Sequence, residues 1–324
     1  MNLSLLATAF IAAYSAASIA YVYRWRGRVR YASFAQYARK SWPVFAPLNC
    51  LMYLTTQPWA RRPVLDASYL ENIGVLRAHW TSLRDEALAL HASGALDAAR
   101  SPGSAGYHDV GFRTFYKRGW SKFYLKWYGS THRSAQRLCP RTLALLDQVP
   151  AIRGAMFSVL PPGAELSLHS DPMACSFRYH LALATPNSER CRIEVDGQPC
   201  PWYDGEDFVF DETYPHTARN DTDVPRIILL CDVDRPMNAP GRVVHAAYRL
   251  LARTTVVPNT PEDERGLFSM LFRRVAPWRA RALRLRDRNR ALYKALKLTL
   301  NTTLLGALGA VVFAVLNAVE WILS

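Results

Sequence analysis

The chain has 324 residues, half of them hydrophobic and 12% aromatic, with 40 Lys and Arg against 26 Asp and Glu for a net charge of +14. So much apolar and aromatic material can bury a substantial core, which excludes wholesale disorder and any collagen-like or low-complexity fibre. The positive excess calls for a polyanionic partner, either nucleic acid or an anionic membrane surface, and its distribution decides between them.

Residues 3–23 contain no charged side chain. At 1.5 Å per residue such a run matches a hydrocarbon core of about 30 Å. The small residues at 15–18 also allow a secretory signal, but no positive residue precedes the run and arginines follow it, which favours an uncleaved anchor over residues 1–23. Residues 24–40 then carry six basic residues and no acid. Residues 44–54 (VFAPLNCLMYL) are apolar but too short to span and contain Pro47, so they are either re-entrant or a packed loop. Together residues 24–63 read as a basic juxtamembrane segment.

From residue 64 to 100 the apolar spacing of Leu76, Trp80, Leu83, Ala87, Leu88 and Leu90 predicts helix, with Gly94 as its stop. Residues 112–128 interleave Phe, Tyr and Trp with Lys and Arg. That pattern suits either a single-stranded nucleic-acid surface or core strands with snorkelling cations, and the second is the commoner arrangement. Beyond Pro140, turn signals at Pro161-Pro162-Gly163, Asp196-Gly197 and Asp204-Gly205 separate strand-like runs at 155–160, 192–195, 207–210 and 226–233. Many short strands at this spacing predict a mainly β fold, an antiparallel sandwich or a barrel of the jelly-roll type.

After residue 237 the character changes again. Residues 273–297 hold ten basic residues and one acid, and 278–297 (WRARALRLRDRNRALYKALK) read as an amphipathic helix on anionic headgroups. Residues 298–319 are a second uncharged run, so 238–297 is a basic extension and 298–324 a second transmembrane helix. Residues 41–272 sum to no net charge, so the positive excess lies beside the two apolar runs. That placement removes nucleic acid as a partner, points to an anionic inner-membrane surface, and puts residues 24–297 in the cytoplasm with both termini periplasmic. Six cysteines without a CxxC pair are expected to be reduced thiols.

The chemistry concentrates in the neutral middle. His169 and Asp171 share one strand face if both lie on a strand, and His216 follows a turn 45 positions later. Two imidazoles and one carboxylate with open opposite positions is the donor set of non-haem Fe(II) oxygenases. Arg178, His180 and Arg226 supply fixed basic groups suited to a dicarboxylate, because a guanidinium inside a barrel needs an anion beside it.

The run from 158 to 234, with SVLPPGAELSLHSDP, SFRYHLALATPN, RCRIEVDG, DGEDFVFDETYPHTARN and RIILLCDVDRP, resembles the aspartyl/asparaginyl β-hydroxylase family of Fe(II)- and 2-oxoglutarate-dependent dioxygenases. Within that family it is most similar to the bacterial lipid A 2-hydroxylases, which share the upstream RPVLDAS, LRDEAL, GWSKFYLKWYG and SAQRLCP segments. The resemblance implies a double-stranded β-helix over residues 64–237, with Fe(II) on His169, Asp171 and His216. It implies that Arg178 and His180 lie near one carboxylate of 2-oxoglutarate, and Arg226 with Ser158 near the other. The animal peptide hydroxylases of the family have Gly in the place of Asp171, so the Asp here fits the lipid branch. The implied reaction couples O2 and the decarboxylation of 2-oxoglutarate to hydroxylation at C2 of a fatty acyl chain on lipid A. A peptidyl Asp or Asn, or another membrane lipid such as an ornithine lipid, is the alternative substrate. Residues 238–324 lie outside the resemblance.

Overall fold

A computed structural model describes residues 3–109, 111–112 and 116–323. The chain opens with helix α1 (Leu3–Arg24), followed by α2 (Phe34–Lys40) and α3 (Ala46–Thr55). Among the described residues one helix, α1, is long and apolar enough to cross a membrane, over Leu5–Arg24 at a mean hydropathy of 1.7. Residues 44–54, which sequence left as re-entrant or packed loop, form a helix. Pro47 falls in its first turn, where a missing N–H costs nothing.

The helix expected over 64–100 divides. Its ends form β1 (Val64–Leu65) and two short 3₁₀ turns, and the apolar periodicity is realised in α4 (Gly74–Ala78) and α5 (Trp80–Ala92). Residues 112–128 become strand only at β2 (Ser121–Trp127), after a 3₁₀ turn at Tyr116–Arg118; the expectation at 113–115 falls outside the described residues. There follow β3 (Ser130–Thr131), α6 (Arg133–Leu138), α7 (Pro140–Leu146), β4 (Ile152–Leu160), β5 (Glu165–His169), β6 (Ser176–Ala184), β7 (Cys191–Val195), β8 (Gln198–Pro201), β9 (Asp207–Phe210), β10 (His216–Asn220) and β11 (Arg226–Asp234). The four strand-like runs of the sequence are thus found, in β4, β7, β9 and β11.

Seven strands in the order β1-β9-β6-β11-β4-β2-β3 make one sheet and four in the order β5-β10-β7-β8 make the other, all paired antiparallel. This is the two-sheet, cupin-like jelly roll expected. Alternation along the central strands serves two cores. Phe157, Val159, Tyr179, Leu181, Ile227 and Leu229 pack outward against Leu76, Leu83, Leu90 and Leu146 of the helices. Leu160, Ala182, Phe210 and Ile228 face inward onto Ile193, Val195 and Ala218 of the smaller sheet. Burying each of the larger side chains is worth about 1.5–3 kcal/mol. The inner face, between the sheets, carries the polar residues of interest.

The basic segment after α1 is only partly a surface. Arg26, counted by sequence among the headgroup-facing cations, is buried instead. Its guanidinium lies 2.7 Å from Asp211 and sits between the rings of Tyr53 and Tyr214 at 3.4 and 4.0 Å. Desolvating a cation is tolerated here because an ionised acid and two π faces replace water. Gly27 follows with φ +76, and a Cβ there would stand 2.6 Å from Asp196 Oδ1. That carboxylate accepts from the N–H groups of Arg28 and Val29 at 2.7 and 2.8 Å, so glycine is required for the chain to wrap the β7–β8 turn.

Beyond the barrel run α8 (Ala239–Arg253), α9 (Leu267–Arg288) and α10 (Arg290–Leu323). The amphipathic helix expected over 278–297 is split, because Asn289 is extended (φ −145) and its side chain caps α10 by accepting from Leu292 N at 2.9 Å. The second uncharged run, 298–319, is helical within α10, and several of its side chains fall outside the described residues. All six cysteines are free thiols.

Candidate metal centre

Strand register brings the two histidines together. β5 and β10 pair with His216 directly opposite His169, and the register shifts immediately after His216. Opposed residues of an antiparallel pair have Cβ atoms about 5 Å apart, and the two rings stand 4.1 Å apart by centroid. In each ring Nδ1 lies on a backbone carbonyl two residues back, Ser167 at 3.1 Å and Tyr214 at 2.9 Å. Each carbonyl accepts the Nδ1 proton, leaving Nε2 with its lone pair.

Asp171 arrives differently from the expectation. β5 ends at His169, so Asp171 lies in the bend beyond it rather than on the same strand face. The bend is held by Asp171 N–H donating to Glu212 O at 2.8 Å and Ser170 N–H donating to Lys40 O at 2.9 Å. His169 Nε2 is then 3.6 Å from Asp171 Oδ1. One ligand atom each from His169, Asp171 and His216 lies within 4.8 Å of the others, a spacing one ion can bridge. Burial and the neighbouring His216 hold His169 down to about 3, and burial lowers His216, so both imidazoles are neutral, as ligation requires. Burial alone would raise Asp171, but the Arg178 guanidinium outweighs it and keeps Asp171 below the ordinary carboxylate value.

Arg178, expected beside a co-substrate carboxylate, is turned onto three protein carboxylates. It donates to Asp171 at 2.9 Å, approaches Asp232 at 2.8 Å and contacts Glu212. Burial pushes Glu212 well up, with Asp171 and Asp232 adding to the effect, so Glu212 is protonated and Asp171 carries the charge. Glu212 and Asp232 escaped the sequence reading, although DETYPH places Glu212 four residues before His216.

The second cluster lies on the same inner face. Arg226 is 1% exposed, and among the described residues its Nε and Nη1 have no hydrogen-bond partner. Its ion pairs, unlike those of Arg178, are absent among those residues, and burial lowers it to about 10. The rings of Trp202 and Trp120 lie 4.4 and 5.4 Å from the guanidinium. Ser158 Oγ and His180 Nε2 are buried without partners in the same sense. Burial, then Arg226 and Arg178, hold His180 neutral. Phe210 joins the clusters, 5.0 Å from the ring of His180 and 5.6 Å from that of His216. A buried cation, a hydroxyl and an imidazole without partners fit a small anion that accepts several hydrogen bonds. Arg226 and Ser158, expected at one carboxylate of the co-substrate, thus share this face with His180, expected at the other beside Arg178, and Trp202 forms a wall that sequence did not single out.

A sequence model of the aspartyl/asparaginyl beta-hydroxylase family matches residues 77–236. The chain is 36% identical over 134 residues to the ornithine lipid ester-linked acyl 2-hydroxylase of Rhizobium tropici, covering 41% of this chain and 48% of that one. It is 30% identical over 192 residues to the human aspartyl/asparaginyl beta-hydroxylase, covering 58% of this chain and 24% of that one. The chain thus spans about half or less of the length of these relatives. A prolyl-4-hydroxylase structure from Pseudomonas putida is similar at 17% identity and a TM-score of 0.31, over 49% of this chain and 87% of that one, a likeness too loose to carry weight.

Proposed function

Residues 77–236 of this chain belong to the aspartyl/asparaginyl β-hydroxylase family, and on that premise we propose that the protein is a membrane-bound dioxygenase that hydroxylates C2 of a lipid acyl chain with Fe(II), O2 and 2-oxoglutarate. One observation carries the reading: a neutral pair of imidazoles and an ionised carboxylate converge beside a buried guanidinium that lacks an anion. His169, Asp171 and His216 would hold the iron, and Arg226, Ser158 and His180 would hold 2-oxoglutarate. The bound metal supplies activation of O2 for insertion into an unactivated C–H bond.

The chain's own residues do the rest. The Ser167 and Tyr214 carbonyls fix both rings so that each presents a free Nε2. Arg178 keeps Asp171 ionised and aimed, and Glu212 gives up its charge so that Asp171 can keep its own. Trp202, Phe208 and Phe210 line the space around His180 and exclude water from the pocket that orients the co-substrate.

A lipid substrate is supported by the apolar α1 at the domain's edge and by the relative named for an ornithine lipid. Lipid A, the substrate the sequence resemblance implies, and an ornithine lipid are the two candidates. A peptidyl Asp or Asn is the second reading, favoured by the human relative. We further place residues 24–297 on the cytoplasmic side of a bacterial inner membrane, with 298–319 as a second span and both termini outside. The test is a mass comparison of membrane lipids from cells with and without the gene. Loss of a species heavier by one oxygen from lipid A or from ornithine lipid identifies the substrate. Unchanged lipids, with succinate release stimulated by peptides, move the assignment to the second reading.

A further inference from the structure

Residues 34–55 form a helical hairpin whose level along α1 is fixed at several points. The Tyr37 ring of α2 lies 5.2 Å from that of Tyr23, beside the last turn of α1. The chain then turns at Trp42, in the left-handed region at φ 50, and continues into α3. Tyr14 Oη donates to the Pro47 carbonyl at 2.9 Å, and Cys50 Sγ lies 4.0 Å from the Ser18 carbonyl. Helix α3 therefore climbs beside α1 in the same direction. From Tyr14 to Arg24 a helix rises about 15 Å, so α3 begins that far below the arginine that ends the apolar run.

The hairpin has one buried and one bare face. Met52 and Tyr53 pack with Ala174, Cys175 and Met237 of the barrel side. Trp42, Val44, Leu51 and Leu54 are exposed, the last at 66%. An apolar surface of this kind, continuous with an apolar helix that is itself bare, matches lipid rather than water. Arg39, exposed within a turn of Tyr37, stands at the height of the headgroups.

We propose that residues 34–55 insert into the leaflet beside α1, tip first, and sink the loop carrying His169 and Asp171 to the depth of the first acyl carbons. The hairpin grips that loop directly. Asn49 Nδ2 donates to Pro172 O and its Oδ1 accepts from Ala174 N–H, both at 2.9 Å, while Lys40 Nζ donates to Ser167 Oγ at 2.9 Å. The Ser18–Cys50 level is about 9 Å below Arg24, and a headgroup layer is about 5–7 Å thick. The metal loop therefore meets the lipid where its carbonyl and C2 carbon lie, so no acyl chain has to be lifted out of the bilayer. The inference rests on the proposed membrane anchoring by α1.

The test uses the full chain in phosphatidylethanolamine–phosphatidylglycerol vesicles, with the partly exposed Cys50 and Cys200 changed to Ser. Single cysteines at Phe10, Val44, Leu54 and Val224 carry a nitroxide, and collisions with O2 and with a nickel chelate are compared. All four positions are exposed in the protein, so labelling leaves the fold intact. Val44 should share the O2-rich, nickel-shielded signature of Phe10, with an O2-to-nickel ratio severalfold above that of Val224, while Leu54, about 6 Å above the Ser18–Cys50 level, should fall between Val44 and Val224. Nickel access at Val44 with Phe10 shielded overturns the insertion and leaves the anchor standing. Nickel access at both overturns the insertion and the anchor together. Shielding at Val44 with Phe10 accessible overturns the anchor, and with it the depth that the insertion takes from α1. None of these outcomes depends on hydroxylation, which the lipid mass comparison judges separately.

Discussion

Arg178 donates to Asp171 across 2.9 Å, so the carboxylate arm of the candidate metal centre is held by a guanidinium on β6 and not by the strand that carries His169. The same guanidinium approaches Asp232 at 2.8 Å and contacts Glu212. Asp171 is aimed because three acids compete for one cation.

Replacing that cation tests the arrangement. Arg178→Met leaves Asp171 and the buried Asp232 without their cation, and removing one partner of a buried ion pair costs about 3–5 kcal/mol. Thermal unfolding should fall accordingly, and Fe(II) affinity by about 10–100-fold, as for loss of a supporting partner of a metal ligand. Unchanged metal affinity would show that Asp171 is positioned by its bend alone.

His169→Ala and His216→Ala should each abolish hydroxylation and weaken iron binding beyond that range, while the protein stays in the membrane fraction. Calorimetric metal titration, with cell fractionation alongside, reads both. The two histidines were legible in the sequence because the strand and the turn that carry them have clear signals. Asp171 does come within reach of both histidines, but not by the i, i+2 rule, which needs a strand, because β5 stops two residues short. Glu212 and Asp232 were not legible, since they meet Arg178 only through the pairing of β11 with β6 and a loop contact, and register is not written locally. Apolar periodicity likewise located α5 but overran to residue 64, where the Asp207–Phe210 strand captures Val64 and Leu65 by pairing.

Arg226→Met should eliminate the stabilisation that 2-oxoglutarate gives in a thermal shift. It should leave the protein without co-substrate equally or more stable, because burying an unpaired cation is unfavourable. Arg226→Lys keeps the charge without the fork and should raise KM for 2-oxoglutarate more than it lowers kcat. A co-substrate shift that survives in the Met variant would locate the far carboxylate elsewhere.

Asp211 gives a pH-dependent prediction. Burial alone would raise it, but Arg235 and Arg26 outweigh burial and bring it down to about 2. A carboxylate with a depressed folded value stabilises the fold above its unfolded value near 4 and loses that contribution as pH falls towards 2. The shift is worth about 2 kcal/mol. Wild type and Asp211→Asn should therefore differ most in denaturant stability above pH 5 and converge as the pH is lowered to 3 and below. A gap that stays constant with pH would remove Asp211 from the ion pair.

Arg26 closes α1 into the barrel two residues after the helix ends, with Gly27 wrapped around Asp196. A domain fastened this close to its anchor has no swivel. With α1 as the proposed membrane anchor, it would present one fixed edge to the leaflet and could not tumble to meet soluble molecules. Its encounter with the proposed lipid substrate would then be a search in two dimensions. Turnover in vesicles should follow the mole fraction of substrate lipid in the surface and be insensitive to total lipid at fixed composition.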